Sequence, residues 1–147
     1  MSAARHADPR VQRLVDAFEQ LSPAALARLD EIYTPDAAFK DPFNEVRGVA
    51  AIRAIFEHMF RTLDAPRFVV HEAVVQDEQC FLTWDMHYRM KRFVRGEQLI
   101  RGATHVRFAA DGRVALHRDY WDAAEELYEK LPALGAAMRW LRRRAAS

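Results

Sequence analysis

One cysteine, Cys80, stands among 147 residues, so no internal disulfide can form and the small stapled scaffolds of secreted proteins are excluded. Five glycines and six prolines are too few for a fibrous repeat or a low-complexity tract. No apolar run approaches the roughly 20 residues that a membrane-crossing helix needs. Charge of one sign is missing too: 22 Lys and Arg against 21 Asp and Glu leave a formal +1, which argues against nucleic acid as a partner. The opening Met1-Ser2-Ala3-Ala4-Arg5-His6 is followed by no apolar stretch, so no signal peptide is expected. With the lone thiol, this predicts a cytoplasmic protein with no membrane partner. Apolar residues are what the chain has, at 50% against 29% charged. A chain of this length buries roughly 70% of its unfolded surface. A single domain over residues 1–147 is expected, with 1–7 loose at the start.

The first half has helical periodicity. Asp8-Pro9 supplies an N-cap and a proline for the first turn. Val11, Leu14, Val15, Phe18 and Leu21 follow at helical spacing. Ser22-Pro23 repeats the start signal, and Leu26, Leu29, Ile32 and Tyr33 predict a second helix. A short extended piece over 37–41 ends at Pro42. After Gly48, the spacing of Val49, Ile52, Phe56, Met59 and Leu63 predicts a third helix. The second half changes period. Four strands are expected over 67–76, 79–93, 97–109 and 113–121, with Asp111-Gly112 as the best hairpin turn. Two helices, 122–130 and 133–144, close the chain. Helices followed by an antiparallel meander make this α+β.

The two faces of the 79–93 strand differ. Cys80, Leu82, Trp84, Met86, Tyr88 and Met90 alternate with Phe81, Thr83, Asp85, His87 and Arg89. Either the first face fills the core and the second meets water, or the first is a partner interface and the second lines a pocket. The last strand divides in the same way, with Ala115, His117, Asp119 and Trp121 on one face. A few polar groups among aromatic walls are the composition of a ligand site, and equally of a solvated edge.

Three stretches together resemble a known superfamily: Val11-Gln12-Arg13-Leu14-Val15, then Ala38-Phe39-Lys40-Asp41-Pro42 with Gly48-Val49-Ala50-Ala51-Ile52, and His117-Arg118-Asp119-Tyr120-Trp121-Asp122. In this order they are similar to the nuclear-transport-factor-2-like, or SnoaL-like, superfamily. It includes ketosteroid isomerases, limonene-epoxide hydrolases and polyketide cyclases. The resemblance implies a cone-shaped half-barrel, with helices packed in the concave face of a strongly bent, mainly antiparallel sheet. It implies a small hydrophobic ligand or substrate in the cone's mouth and no cofactor. It places Phe81, Thr83, Asp85 and His87 toward the cavity, and leaves Leu82, Trp84, Met86 and Tyr88 for a homodimer interface. A lining of Tyr33, Phe39, Phe43, Phe56, Phe60, Thr83, His87, Thr104 and Trp121 follows.

For chemistry, the resemblance points to Asp41, Asp85, Asp119 and His117. Phe39-Lys40-Asp41-Pro42 matches the motif of the isomerases' aspartate base. Their two enolate donors are replaced here by Leu14, which cannot donate, and Thr104, a weak neutral donor. Loss of one such donor typically costs about 10²–10³ in rate. The hydrolases join two aspartates through an arginine; Asp119 matches one aspartate, Asp85 the other across a longer hairpin, and Thr83 stands where the arginine would be. Three inward carboxylates would repel, raising at least one pKa. The expectation is that Asp41 or Asp85 is the base while Asp119 and His117 supply a proton. Simpler roles compete: Asp41 as a turn residue before Pro42, and Asp119 as an ion-pair partner of Arg118 or Arg107. His87, His105 and His117 lack a metal-ligand spacing, so no metal is expected. Cys80 is a packing residue. The Arg142-Arg143-Arg144 run complements a helix dipole, and Leu134, Met138, Trp140 and Leu141 form a docking stripe. A cofactor-independent isomerase or hydrolase is one reading. A non-catalytic binding or interaction module is the other.

Overall fold

The computed structural model describes residues 6–92, 94–127 and 131–146. Of the residues expected to be loose, 1–5 lie outside these, while the His6 N–H donates to the Gln12 side chain. Helix α1 (Pro9–Glu19) starts as the sequence predicts, with the Asp8 carboxylate accepting from the Arg10 N–H at 2.9 Å. Its buried stripe is Val11, Leu14, Val15 and Phe18. The second expected helix is instead a 3₁₀ helix over Ala24–Glu31. Leu26, Leu29 and Ile32 recur every third residue, the period of a 3₁₀ helix, and the Ser22 hydroxyl accepts from the Ala25 N–H at 3.2 Å at its start. Tyr33 does not belong to it but opens strand β1 (Tyr33–Lys40).

The short strand β2 (Glu45–Arg47) pairs antiparallel with β1. Gly48 follows with φ +98°, a conformation that favours glycine, and turns the chain into α2 (Val49–Thr62). The four long strands are β3 (Leu63–Gln76), β4 (Gln79–Met90), β5 (Glu97–Phe108) and β6 (Val114–Tyr120). They form the expected meander. The full order is β2-β1-β6-β5-β4-β3, antiparallel except where β1 meets β6. Helices α3 (Ala123–Glu126) and α4 (Pro132–Ala145) follow; 128–130, expected to be helical, lie outside the described residues. The sheet is curved and unclosed, and the helices complete the cone.

The strand faces are the reverse of those implied by the resemblance. Leu82, Trp84, Met86 and Tyr88 are buried in the same core as the α1 and α2 stripes. On the other face Phe81 is 49% exposed, Thr83 is exposed, and Asp85 and His87 are half-buried. Shifting a strand by one residue would exchange the two sets entirely. Burial of an aromatic or aliphatic side chain is worth about 1.5–3 kcal/mol, so the more apolar set goes under the helices. Leu82, Trp84, Met86 and Tyr88 are therefore not a surface that a second subunit can reach. Among the described residues, no helix is long and apolar enough to cross a membrane.

Candidate functional site

A cavity of about 350 Å³ lies inside the cone. Helix α2 contributes Ile55, Phe56 and Met59, and β4 contributes Trp84, Met86 and Tyr88. At its mouth, Phe43 and Trp121 meet edge to face with ring centroids 5.6 Å apart. Asp119 reaches this mainly apolar wall from β6, where Asp41, Asn44, His58 and Thr62 also border the cavity.

Behind Asp119 runs a chain of hydrogen bonds. The register of β5 with β6 sets Thr104 opposite Asp119, and the Thr104 hydroxyl bonds to Asp119 Oδ1 at 2.6 Å. Trp84 Nε1 donates to the Thr104 oxygen at 2.7 Å, so Thr104 must pass its own hydrogen to Asp119. From the other side, His117 Nε2 lies 2.7 Å from the same Oδ1, and His117 Nδ1 lies 2.8 Å from the Tyr33 hydroxyl. Complete burial, with the charge of Asp119 added, pushes the Tyr33 pKa well above its ordinary value. Tyr33 thus keeps its hydrogen, and because a carboxylate can only accept, His117 Nε2 carries the hydrogen that faces Asp119. Thr104 and His117 thus converge on one carboxylate oxygen. Among the described residues, Asp119 Oδ2 has no hydrogen bond.

Asp41 touches the cavity but is spent on the backbone. Its Oδ1 accepts from the Phe43 and Asn44 N–H groups at 2.8 and 2.7 Å and from Asn44 Nδ2 at 3.1 Å. The turn role is the one it fills. Asp85 is outside the site: it lies on the outer face, 2.9 Å from His71 Nε2. His87 shares that face and meets Glu97 at 2.9 Å, and Thr83 is exposed there. The three carboxylates are therefore not gathered. His117, 3% exposed and engaged at both nitrogens, stands behind Asp119 and cannot hand a proton directly to a ligand.

Of the expected lining, Phe39, Phe43, Phe56 and Trp121 are on the wall. Tyr33 and Thr104 belong to the chain behind it, and Phe60 packs against the core without reaching the cavity. The residues missed include those of the inner β4 face, together with Ile55, Met59, Phe68 and Ile100. For the β4 face, its greater apolarity was the signal. Among the described residues, no three His, Cys, Asp or Glu side chains gather as a metal ion would need.

Solved structures share this fold. A protein with a ketosteroid isomerase-like fold from Catenulispora acidiphila, solved with trimethylamine, aligns at a TM-score of 0.71 and 16% identity, covering 85% of this chain and 95% of that one. A candidate SnoaL-like polyketide cyclase from Jannaschia sp. CCS1 aligns at 0.72 and 15%, covering 88% and 99%. An LEH-like epoxide hydrolase from M. tuberculosis aligns at 0.64 and 14%, covering 90% and 93%. No curated protein matches the sequence. The SnoaL-like domain matches residues 11–117, most of the length of the chain, which therefore belongs to the SnoaL-like family.

Proposed function

We propose that the chain is a cofactor-independent acid–base enzyme acting on a small hydrophobic molecule, with Asp119 as its general base. One observation carries this reading: Asp119 Oδ1 accepts from both Thr104 and His117, while the carboxylate reaches the wall of a mainly apolar cavity. Holding one oxygen fixes the other for proton transfer. A single carboxylate suffices for an isomerisation. Oδ2 takes a proton from a carbon beside a carbonyl, the electron pair moves into the enolate, and the same proton returns to a carbon further along the conjugated system. Epoxide opening needs a separate acid, and Asp41 and Asp85 are committed elsewhere. Isomerisation is thus favoured over hydrolysis. The kinship with isomerase-like and cyclase-like neighbours agrees with this but does not choose the substrate.

A specific observation favours the competing reading, a module that binds a hydrophobic ligand without turnover. Leu14 is a core residue at 2% exposure, and the Thr104 hydrogen is given to Asp119, so neither can donate to an enolate. A panel of β,γ-unsaturated cyclic ketones separates the two. An enzyme converts some of them to conjugated enones, followed by ultraviolet absorbance, and Asp119→Asn loses about 10²-fold or more of that rate. Ketones that bind without turnover would establish the binding module, and unchanged turnover in Asp119→Asn would remove Asp119 from the chemistry.

A further inference from the structure

One buried hydroxyl on the cavity wall is left over. Tyr88 is 2% exposed, and its hydroxyl is, among the described residues, a buried side-chain group with no hydrogen-bond partner. Native proteins rarely tolerate such a group unless something pairs with it in the working state. The charged group that acts on it is Glu126, whose Oε1 lies 2.7 and 2.9 Å from the Arg101 guanidinium nitrogens. Burial first, and the charge of Glu126 second, push the Tyr88 pKa up, so the phenol keeps its hydrogen. A neutral acceptor suits this corner. An anionic one would meet Glu126.

Position adds a second constraint. On β5, the partner of Tyr88 is Gln98 and the partner of Asp119 is Thr104. Six residues of strand separate these two, roughly 20 Å of backbone. Tyr88 and Asp119 both border the cavity and stand toward opposite ends of it, with Met86 and Ile100 among the apolar wall.

Resting on the reading of Asp119 as the reactive group, we propose that Tyr88 is a specificity-determining residue: the ligand is an apolar molecule bearing, besides the carbonyl beside which Asp119 acts, a second neutral oxygen, a carbonyl or hydroxyl, that accepts the Tyr88 hydrogen at the end of the cavity away from Asp119. Apolar packing supplies the affinity, and the oxygen sets which end faces the base.

The test uses a matched pair of probes, 1-tetralone and tetralin, titrated calorimetrically into the wild type, Tyr88→Phe, Asp119→Asn and the cavity-filling Ile55→Trp. Wild type should prefer the ketone. Tyr88→Phe should weaken 1-tetralone by about fivefold or more while leaving tetralin within about twofold. Its melting temperature should not fall, because the change removes an unpaired hydroxyl and keeps the ring. Asp119→Asn should keep the preference for the ketone, and Ile55→Trp should abolish both affinities. An unchanged ketone-to-hydrocarbon ratio in Tyr88→Phe overturns the assignment of Tyr88. If Asp119→Asn is still inactive in that event, the general-base reading stands alone. Binding of either probe to Ile55→Trp puts the probes outside the cavity and also overturns the proposal.

Discussion

The Trp84 indole lies so close over Gly102 that a β-carbon at Gly102 would stand 2.5 Å from two ring carbons. The two residues are paired across β4 and β5, and the missing side chain is what lets the ring lie down on the sheet. In that position Trp84 Nε1 reaches Thr104, and the ring becomes part of the cavity wall. Gly102→Ala should force the indole away. Overpacking of this kind costs about 1–3 kcal/mol. Urea unfolding should show that loss, and the tryptophan fluorescence of the folded variant should differ from that of the wild type. Wild-type stability with unaltered fluorescence would mean the ring had room to spare.

Thr104 links Trp84 to Asp119, and its hydroxyl is the linking atom. Thr104→Val keeps the shape but orphans the buried Trp84 N–H and removes one of the two donors to Asp119 Oδ1. An orphaned buried donor costs about 1–3 kcal/mol. Thr104→Ser, which restores the oxygen, should recover most of the loss. Chemical denaturation of both variants decides the matter, since equal destabilisation by Ser and Val would assign the role to the methyl group.

The meander, the capped first helix and the α+β order were legible because each rests on local chemistry: Asp8-Pro9, Gly48, Asp111-Gly112 and the change from helical to alternating period. The faces of β4 were legible too, from apolarity alone. The family resemblance implies the opposite faces, because a shift of one residue exchanges them while leaving the strand intact. What alternation could not reveal is where it breaks. On β6, Val114 and His117 are both buried although three residues apart, and the register shifts beside them between Arg107 and Phe108. A bulge of this sort restarts the alternation. The same limit explains the site. Asp119 and His117 were found from their own strand, whereas Tyr88 and Met86 required knowing which side of β4 faces the helices. Asp41 and Asp119 both reach the cavity, and only the hydrogen bonds of Asp41 to Phe43 and Asn44 mark it as a turn residue.

Asp8 should give the fold a measurable sensitivity to acid. The Arg10 guanidinium, hydrogen-bonded to the Asp8 carboxylate, outweighs burial and holds its pKa at about 2 against an ordinary 3.8. A carboxylate with a lowered folded pKa stabilises the fold above its unfolded value and loses that contribution as pH falls toward the folded one. The window is therefore from near 3.8 down to about 2. Asp8→Asn keeps an N-capping side chain without the titration, so the urea midpoint of the wild type should fall more steeply than the variant's across that window. Asp8→Ala, which also loses the cap, should cost about 1 kcal/mol at neutral pH. Parallel pH profiles for the wild type and Asp8→Asn would show that Asp8 is not the responsible group.

Cys80 reports directly on which face of β4 is inside. It shares the face of Leu82 and Trp84, is fully buried, and has its thiol pKa pushed up to about 11, chiefly by burial and then by the charge of Asp8. At pH 8 a thiol with that pKa is about one-thousandth thiolate, the form that attacks disulfides and alkylating reagents. Ellman's reagent should therefore leave the native protein unlabelled over minutes and titrate one thiol per chain once urea unfolds it. A serine-for-phenylalanine change at Phe81, 49% exposed on the opposite face, should not alter the native rate. An engineered Phe81→Cys in a Cys80→Ser background should react quickly, since that side chain points outward. Fast labelling of native Cys80 together with slow labelling at position 81 would put Leu82, Trp84, Met86 and Tyr88 on the outer surface, and the cavity assigned to them would have to be abandoned.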